Sequence, residues 1–336
     1  MKTACRILIL ALALAALLFV PDGKILPEVQ NDYFIGETPA AALALRPYGA
    51  VLAGGALLAL LLLRGLGKVR SLSFLSGAAL LGFLCSRLVY CLVNIDFYTG
   101  PASLAAVLRW WEGGMSMTGA LGGIALAAFL FLRKEPRSLE ALALTLPPMI
   151  CVFRLGETFT STGRGMDVEF GGIFTIPDMF GNVLNVWLLE ALSALLIWGL
   201  LLLWRRKDTL CPRGGRLLAA FFVLWGVVQI LMESLRYDQH MIWSFVKAQM
   251  LFSFLGAAGC LFFVGRPVRR GPAALVASVL LAAGVFGLEK ALDRLAIPDY
   301  LLYLAFLLLI ALYLFFAFTV FRRREKSLAP APAEAE

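Results

Sequence analysis

The chain has 336 residues, of which 61% are hydrophobic and 15% charged, with a formal net charge of +8 at pH 7. A soluble domain carries about 25% charged residues, so a water-soluble globule is excluded, and the apolar mass falls in runs long enough to cross about 30 Å of hydrocarbon. A single histidine, His240, excludes a histidine-rich metal centre, and six cysteines (Cys5, Cys85, Cys91, Cys151, Cys211, Cys260) without metal or redox spacing give no disulfide framework, so neither metal nor cofactor is expected.

Inside lipid every backbone polar group must be satisfied within its own segment, so Leu- and Ala-rich runs read as helices. Ten spans are predicted in chain order, near 5–20, 47–63, 74–94, 115–132, 139–156, 183–204, 217–235, 245–264, 271–289 and 300–321. The fold class is therefore all-α, a polytopic transmembrane helical protein of about ten spans. Residues 1–20 also resemble a signal peptide, with a basic start and a short apolar core. No small-x-small cleavage site follows Val20, so an uncleaved first helix is expected, and no lipobox surrounds Cys5, so the chain is not expected to be a lipoprotein itself. The segment 157–182, rich in Gly and Thr, reads as a loop, and the end after Lys326 as a short disordered tail.

Basic residues favour cytoplasmic loops. With Lys2 and Arg6 inside, alternate loops carry Arg64, Lys68 and Arg70, then Arg133, Lys134 and Arg137, then Arg205, Arg206, Lys207, Arg213 and Arg216, then Arg266, Arg269 and Arg270. The tail adds Arg322, Arg323, Arg324 and Lys326, so twenty of the 30 Lys and Arg fall on one side, with both termini cytoplasmic. The positive charge is thus mostly topological and calls for no nucleic-acid partner.

Polar side chains in spans are costly, and each is a site candidate. Tyr48 begins the second span, Arg87 and Tyr90 lie in the third, Arg154 and Glu157 close the fifth, Glu190 lies within the sixth, and Gln229, Glu233 and Arg236 occupy the end of the seventh. Gly113, Gly114, Gly119, Gly122 and Gly123 surround the start of the fourth, where small residues let another backbone or a lipid chain approach. Together these suggest a polar pocket near the outer leaflet lined by more than one arginine, whose planar fork suits phosphate, so a phospholipid head group is a natural ligand. Duller readings stand beside these. Arg87 could pair with Glu190 or Glu233 only to neutralise charge, the glycines could serve helix packing, and Glu233 and Arg236 could pair with each other. His240, beside Asp238, reads as solvated, and Lys247 as a snorkelling interface residue.

At these residues the sequence resembles the bacterial prolipoprotein diacylglyceryl transferases, over roughly 40–265. LALRPYG (43–49) is similar to a family segment ending in Tyr-Gly, and SRLVY (86–90) to Gly-Ala-Arg-Leu-x-Tyr. WEGGMSMTGALGG (111–123) resembles Trp-x-Gly-Gly-Met-Ser-Phe-His-Gly-Gly, and FRLGETFTSTGRG (153–165) the signature Gly-Arg-x-Gly-Asn-Phe. LLEAL (188–192) is similar to a segment ending Tyr-Glu, ILMESLRYD (230–238) to Phe-Phe-Val-Glu-Phe-Phe-Arg, and Gln249 falls at a familiar glutamine.

The resemblance implies a seven-span core over 41–265. Residues 1–40 then form an additional N-terminal helix with an outer linker, and 266–336 two additional helices with a basic cytoplasmic tail. It implies a bacterial cytoplasmic membrane location and transfer of diacylglycerol from phosphatidylglycerol to the thiol of a lipobox cysteine in a preprolipoprotein signal peptide. By the same carry-over Arg154 is the phosphate-binding arginine, and Tyr48, Arg87, Gly114, Gly156, Glu233 and Arg236 are substrate-binding positions around one cavity. Four positions depart from the family. Its histidine is Thr118 here, the asparagine of its arginine signature is Glu157, a second arginine is Gln229 and a tyrosine is Trp225. Glu157, three residues from Arg154, could serve as a substitute base, so Arg154 and Glu157 are the catalytic candidates. Two other readings are a catalytically impaired relative that binds anionic phospholipid or a partner protein, and a lipid transporter, although no repeated halves are visible.

Overall fold

The computed structural model describes residues 2–19, 47–67, 72–98, 107–110, 113–160, 163–178, 181–206, 215–237, 242–243, 246–294 and 298–327. His240, Asp238 and the tail beyond 327 lie outside the described residues. Ten α-helices follow one another among them: α1 (Lys2–Leu17), α2 (Pro47–Gly67), α3 (Leu72–Val93), α4 (Met117–Leu132), α5 (Pro136–Gly156), α6 (Val186–Arg206), α7 (Arg216–Leu235), α8 (Ala248–Gly265), α9 (Gly271–Arg294) and α10 (Asp299–Lys326). Each falls on one of the expected runs. Eight are long and apolar enough to cross a membrane. The other two, α1 and α4, have 16 residues each, about 24 Å at 1.5 Å per residue.

The bundle is built around α5. In α5, 78% of the apolar window is buried, against 61% in α7 and 28–33% in α2, α3, α6, α8, α9 and α10, whose remaining faces are left for lipid. α5 packs along α2, α6 and α7, while α7 packs along α8. Phe221, Leu144, Ile150 and Leu201 are among the fully buried side chains of this core. The pair α9–α10 stacks on α8, with Ser278 Oγ and Tyr313 OH 3.1 Å apart inside it. α3 and α4 form a hairpin whose two backbones nearly touch. A Cβ on Gly119 would lie 2.5 Å from the Cys85 carbonyl oxygen, and one on Gly123 would lie 2.2 Å from that of Leu81. These two glycines serve helix packing. The hairpin touches α5 and α8 only lightly.

Two expectations need correction. The segment expected as a loop over 157–182 contains strands β1 (Arg164–Val168) and β2 (Thr175–Asp178), which join β3 (Gly181–Asn185) in an antiparallel sheet of order β1-β3-β2. Residues 181–185 are paired in that sheet, so the sixth helix starts at Val186 rather than near 183. Likewise β4 (Ile242–Trp243) and β5 (Val246–Lys247) form a short hairpin, and the eighth helix starts at Ala248 rather than near 245. The larger sheet is tied to the end of α7 by a bridge between Gly165 and Arg236 and by the Tyr237 N–H donating to the Arg164 carbonyl at 3.2 Å.

Candidate functional site

Arg87, near the end of α3, does not pair with the carboxylates considered for it. Its Nε donates to the Val107 carbonyl at 2.9 Å, Nη1 to the carbonyls of Gly113 and Gly114, and Nη2 to that of Arg109 at 3.3 Å. The guanidinium lies over the Tyr90 and Tyr98 rings, 5.8 and 5.7 Å from their centroids. Burial pushes the Tyr98 hydroxyl up to about 12 against the opposing pull of Arg87, so Tyr98 remains a neutral ring at neutral pH. Arg87 therefore pins Val107, Arg109, Gly113 and Gly114 onto α3. The chain turns into α4 through Gly113 (φ 93°) and Gly114 (φ 75°), a left-handed pair that suits glycine. A side chain at Gly114 would also run into the Tyr90 ring. Ser116 then caps α4 by accepting from the Gly119 N–H at 3.1 Å, and Ser86 Oγ donates to its carbonyl at 2.8 Å.

Opposite this turn, α5, α6 and α7 bring their charged residues together at one end. Arg154 Nη1 bonds Glu157 Oε1, and Arg154 Nε lies 2.7 Å from Glu190 Oε2. Arg154 Nη2 donates to Gln229 Oε1 at 3.3 Å, and Gln229 Nε2 donates to Glu190 Oε1 at 2.7 Å. Arg236 Nη2 meets the same Glu190 Oε2 at 2.5 Å and lies 3.7 Å from Glu157 Oε2, while Arg236 Nε is 3.5 Å from Glu233 Oε1. Glu190, wholly buried, is the hub. Lys247 is not a snorkelling residue. Its Nζ donates to the main-chain carbonyls of Glu233 (2.5 Å) and Arg236 (3.0 Å), closing the end of α7. Buried ions persist when paired and hydrogen-bonded, and the pairing of Arg154 and Arg236 with Glu157, Glu190 and Glu233 is how the site tolerates them.

Between the two walls runs a cavity of about 330 Å³. One length of it is apolar, lined by residues such as Leu14, Leu60, Phe74 and Met149, and the other end is polar, lined by Tyr48, Arg154, Glu157, Arg236, Gln249 and the turn at Gly113 and Gly114. Glu157 Oε2 is buried there with no hydrogen-bond partner.

Of the expected site residues, Tyr48, Gly114, Arg154, Glu157 and Arg236 meet on this cavity. Arg87 and Glu233 stand behind it, the first under the turn and the second beside Arg236. Gly156 sits where a Cβ would press on Val51 at 2.9 Å and Tyr48 at 3.3 Å, so it lets the end of α5 approach the start of α2. Glu190 and Gln229 stand among the polar candidates of the sequence, where neither has an assigned role. The signal was their depth, because Arg154, Glu190, Gln229, Glu233 and Arg236 all fall toward the same end of the bundle. Arg64, Arg133, Arg205, Arg206 and Arg216 fall toward the opposite end.

A family model described as prolipoprotein diacylglyceryl transferase matches residues 39–265, a stretch that contains α2 to α8 and both walls of the cavity. Curated relatives named phosphatidylglycerol–prolipoprotein diacylglyceryl transferase include a protein of Thermotoga maritima, 28% identical over 188 residues, covering 52% of this chain and 62% of that protein. One of Streptococcus pneumoniae serotype 4 is 27% identical over 212 residues, covering 60% and 79%. One of Listeria monocytogenes serotype 4a is 24% identical over 254 residues, covering 69% and 89%. The chain thus spans 62% of the length of the Thermotoga relative, and α1, α9 and α10 lie outside the matched stretch.

Proposed function

The chain belongs to the prolipoprotein diacylglyceryl transferase family, and from that premise we propose that it transfers the diacylglyceryl group of phosphatidylglycerol to the cysteine thiol of a preprolipoprotein signal peptide. The observation that carries the reading is the two-ended cavity, apolar along its length and closed by a buried arginine–carboxylate network. Acyl chains fit the apolar length and the head group the polar end. In the reaction a carbon–sulfur bond forms at the glyceryl carbon as its carbon–oxygen bond to phosphate breaks. The electron pair leaves with glycerol phosphate, and the thiol proton passes to a base.

Arg154 is the phosphate clamp. Of its five N–H donors, Glu157 engages one on Nη1 and Gln229 one on Nη2, which leaves one hydrogen on each Nη for phosphate oxygens, while Nε stands 2.7 Å from Glu190 Oε2 as an ion-pair contact without a hydrogen bond. Charge developing on the leaving group is stabilised there. Glu157 Oε2, lacking a donor, is the base that receives the thiol proton. Tyr48 and Gly114 flank the head group, and Arg236, together with Glu233 behind it, fixes the Glu157 and Glu190 carboxylates. The protein is a multi-pass membrane protein. We place it in the bacterial cytoplasmic membrane with the site toward the outer leaflet and both termini inside, because the basic helix ends lie opposite the network.

One observation favours a second reading, a relative that binds anionic phospholipid without transferring it. Glu157 and Glu190 already neutralise Arg154, and uncharged Gln229 stands where the family pattern has arginine. The deciding experiment incubates the full chain in phosphatidylglycerol vesicles with a lipobox peptide and weighs the peptide by mass spectrometry. A gain of one diacylglyceryl group, lost in Arg154→Ala, supports the transferase. Phosphatidylglycerol binding without any mass gain supports the second reading.

A further inference from the structure

The helix that precedes the family-matched region is part of the cavity wall. Leu10, Ala13, Leu14 and Leu17 of α1 line it. α1 packs on both α2 and α3, and beyond their short connection those two helices make hardly any direct contact with each other. α1 therefore fills a lengthwise gap between the cavity and the surrounding lipid. Its direction is fixed by Gly49, where a Cβ would lie 2.5 Å from the Leu17 carbonyl oxygen and 2.6 Å from that of Leu18. The C-terminal end of α1 thus rests on the first turn of α2, beside Tyr48 at the polar end of the cavity, and Lys2 and Arg6 belong to the far end.

We propose that this gap is the docking groove for the acceptor's signal helix and that α1 holds the groove in cis as an unreactive stand-in. The inference rests on the transferase reading. A lipobox acceptor must bring a thiol, at the C-terminal end of an apolar helix with a basic start, to the polar end of the cavity. α1 has that basic start, that apolar run and that direction. The sequence has no cysteine between Cys5 and Cys85, so α1 presents no thiol where the chemistry occurs. Lipid chains are as apolar as leucine, so one apolar helix can replace another in the groove at little cost, with packing fit deciding the winner. α1 is tethered to α2 through residues 20–46 and competes at a high effective concentration. A loosely fitting helix would fail to displace it.

Photo-crosslinking of the full chain in phosphatidylglycerol vesicles tests this, with a benzophenone-bearing residue in place of Leu60 on α2 or Ala78 on α3, both of which line the cavity. Without peptide, the probe should capture α1, which also reports that each variant is folded. With a lipobox peptide added, capture should pass from α1 to the peptide, and Leu14→Gln, which weakens α1 packing, should lower the peptide concentration needed. Capture of α1 that persists at saturating peptide, no capture of α1 at either position without peptide, or a peptide requirement unmoved by Leu14→Gln would each overturn the proposal. Diacylglyceryl transfer measured in the same samples is a separate readout. Transfer without displacement of α1 sinks the groove and leaves the transferase, whereas displacement without transfer does the reverse.

Discussion

The two walls of the cavity are held together by different means. On the α3–α4 side an arginine is satisfied by main-chain carbonyls, and two glycines let backbones meet. On the α5–α6–α7 side two arginines are paired with carboxylates and an amide. Both arrangements meet the same requirement, since a guanidinium at membrane depth needs partners. They fix different things, however. Arg87 fixes the path of a turn, and the Arg154–Glu190–Arg236 network fixes the side chains that face the cavity. A mutation on the first wall should therefore act through backbone placement, and one on the second through charge.

The largest effect is expected at the hub. Glu190→Ala removes the carboxylate oxygen that Arg154 and Arg236 approach together most closely, and removing one member of a buried ion pair costs about 3–5 kcal/mol. Both Tm in detergent and transfer should collapse, while Glu190→Gln, which keeps the shape, should lose transfer but retain more of the Tm. If Glu190→Ala melts like the unaltered protein, the second wall is not held by charge and the comparison fails.

Glu157→Gln comes next, and it separates chemistry from folding on the same wall. The amide can still accept from Arg154, so the Tm should move little. Transfer should slow by about 10²–10⁴-fold if this side chain takes the thiol proton. An unchanged rate would remove Glu157 from the mechanism and leave it as a partner of Arg154. On the other wall, Arg87→Lys keeps the charge but loses the fork that reaches four carbonyls. Hydrogen bonds from a charged group are worth about 1.5–3 kcal/mol, and the loss should appear as faster amide exchange across 107–116. If exchange stays unchanged there while that around Glu190 rises, the division between the walls is drawn in the wrong place.

The ten helices were legible because each is an apolar run of sufficient length flanked by charge or glycine. The sheet was not, because Val183-Leu184-Asn185 runs into the apolar start of α6 with no breaker between strand and helix. The candidates Tyr48, Gly114, Arg154, Glu157 and Arg236 were legible as polar or glycine residues at span ends within recognisable motifs. The different duties of Arg87 and Arg154 were not legible, because both are arginines near the end of an apolar helix and only tertiary packing decides whether a carbonyl or a carboxylate arrives. The place of Glu190 as the hub was not legible for the same reason, since its partners come from two other helices. Lys247 could not be read because the α7 carbonyls it caps come close only through the β4–β5 hairpin.

The smallest effect tests how independent the walls are. The α3–α4 hairpin meets the rest of the bundle through α1, through light contacts with α5 and α8, and through a small cluster in which Tyr90, Cys91 and Val93 pack with Ala248. Thr118 Oγ1 adds a long hydrogen bond of 3.5 Å to Gln249 Oε1 across the junction. Side-chain hydrogen bonds between membrane helices average about 0.6 kcal/mol, and at this length Thr118→Val should fall below that, leaving Tm nearly unchanged. A drop of several degrees would mean that the hairpin is anchored to α8 at this one point. The α3–α4 wall would then depend on side-chain chemistry as the other wall does, and displacing α1 from its groove would not by itself loosen it.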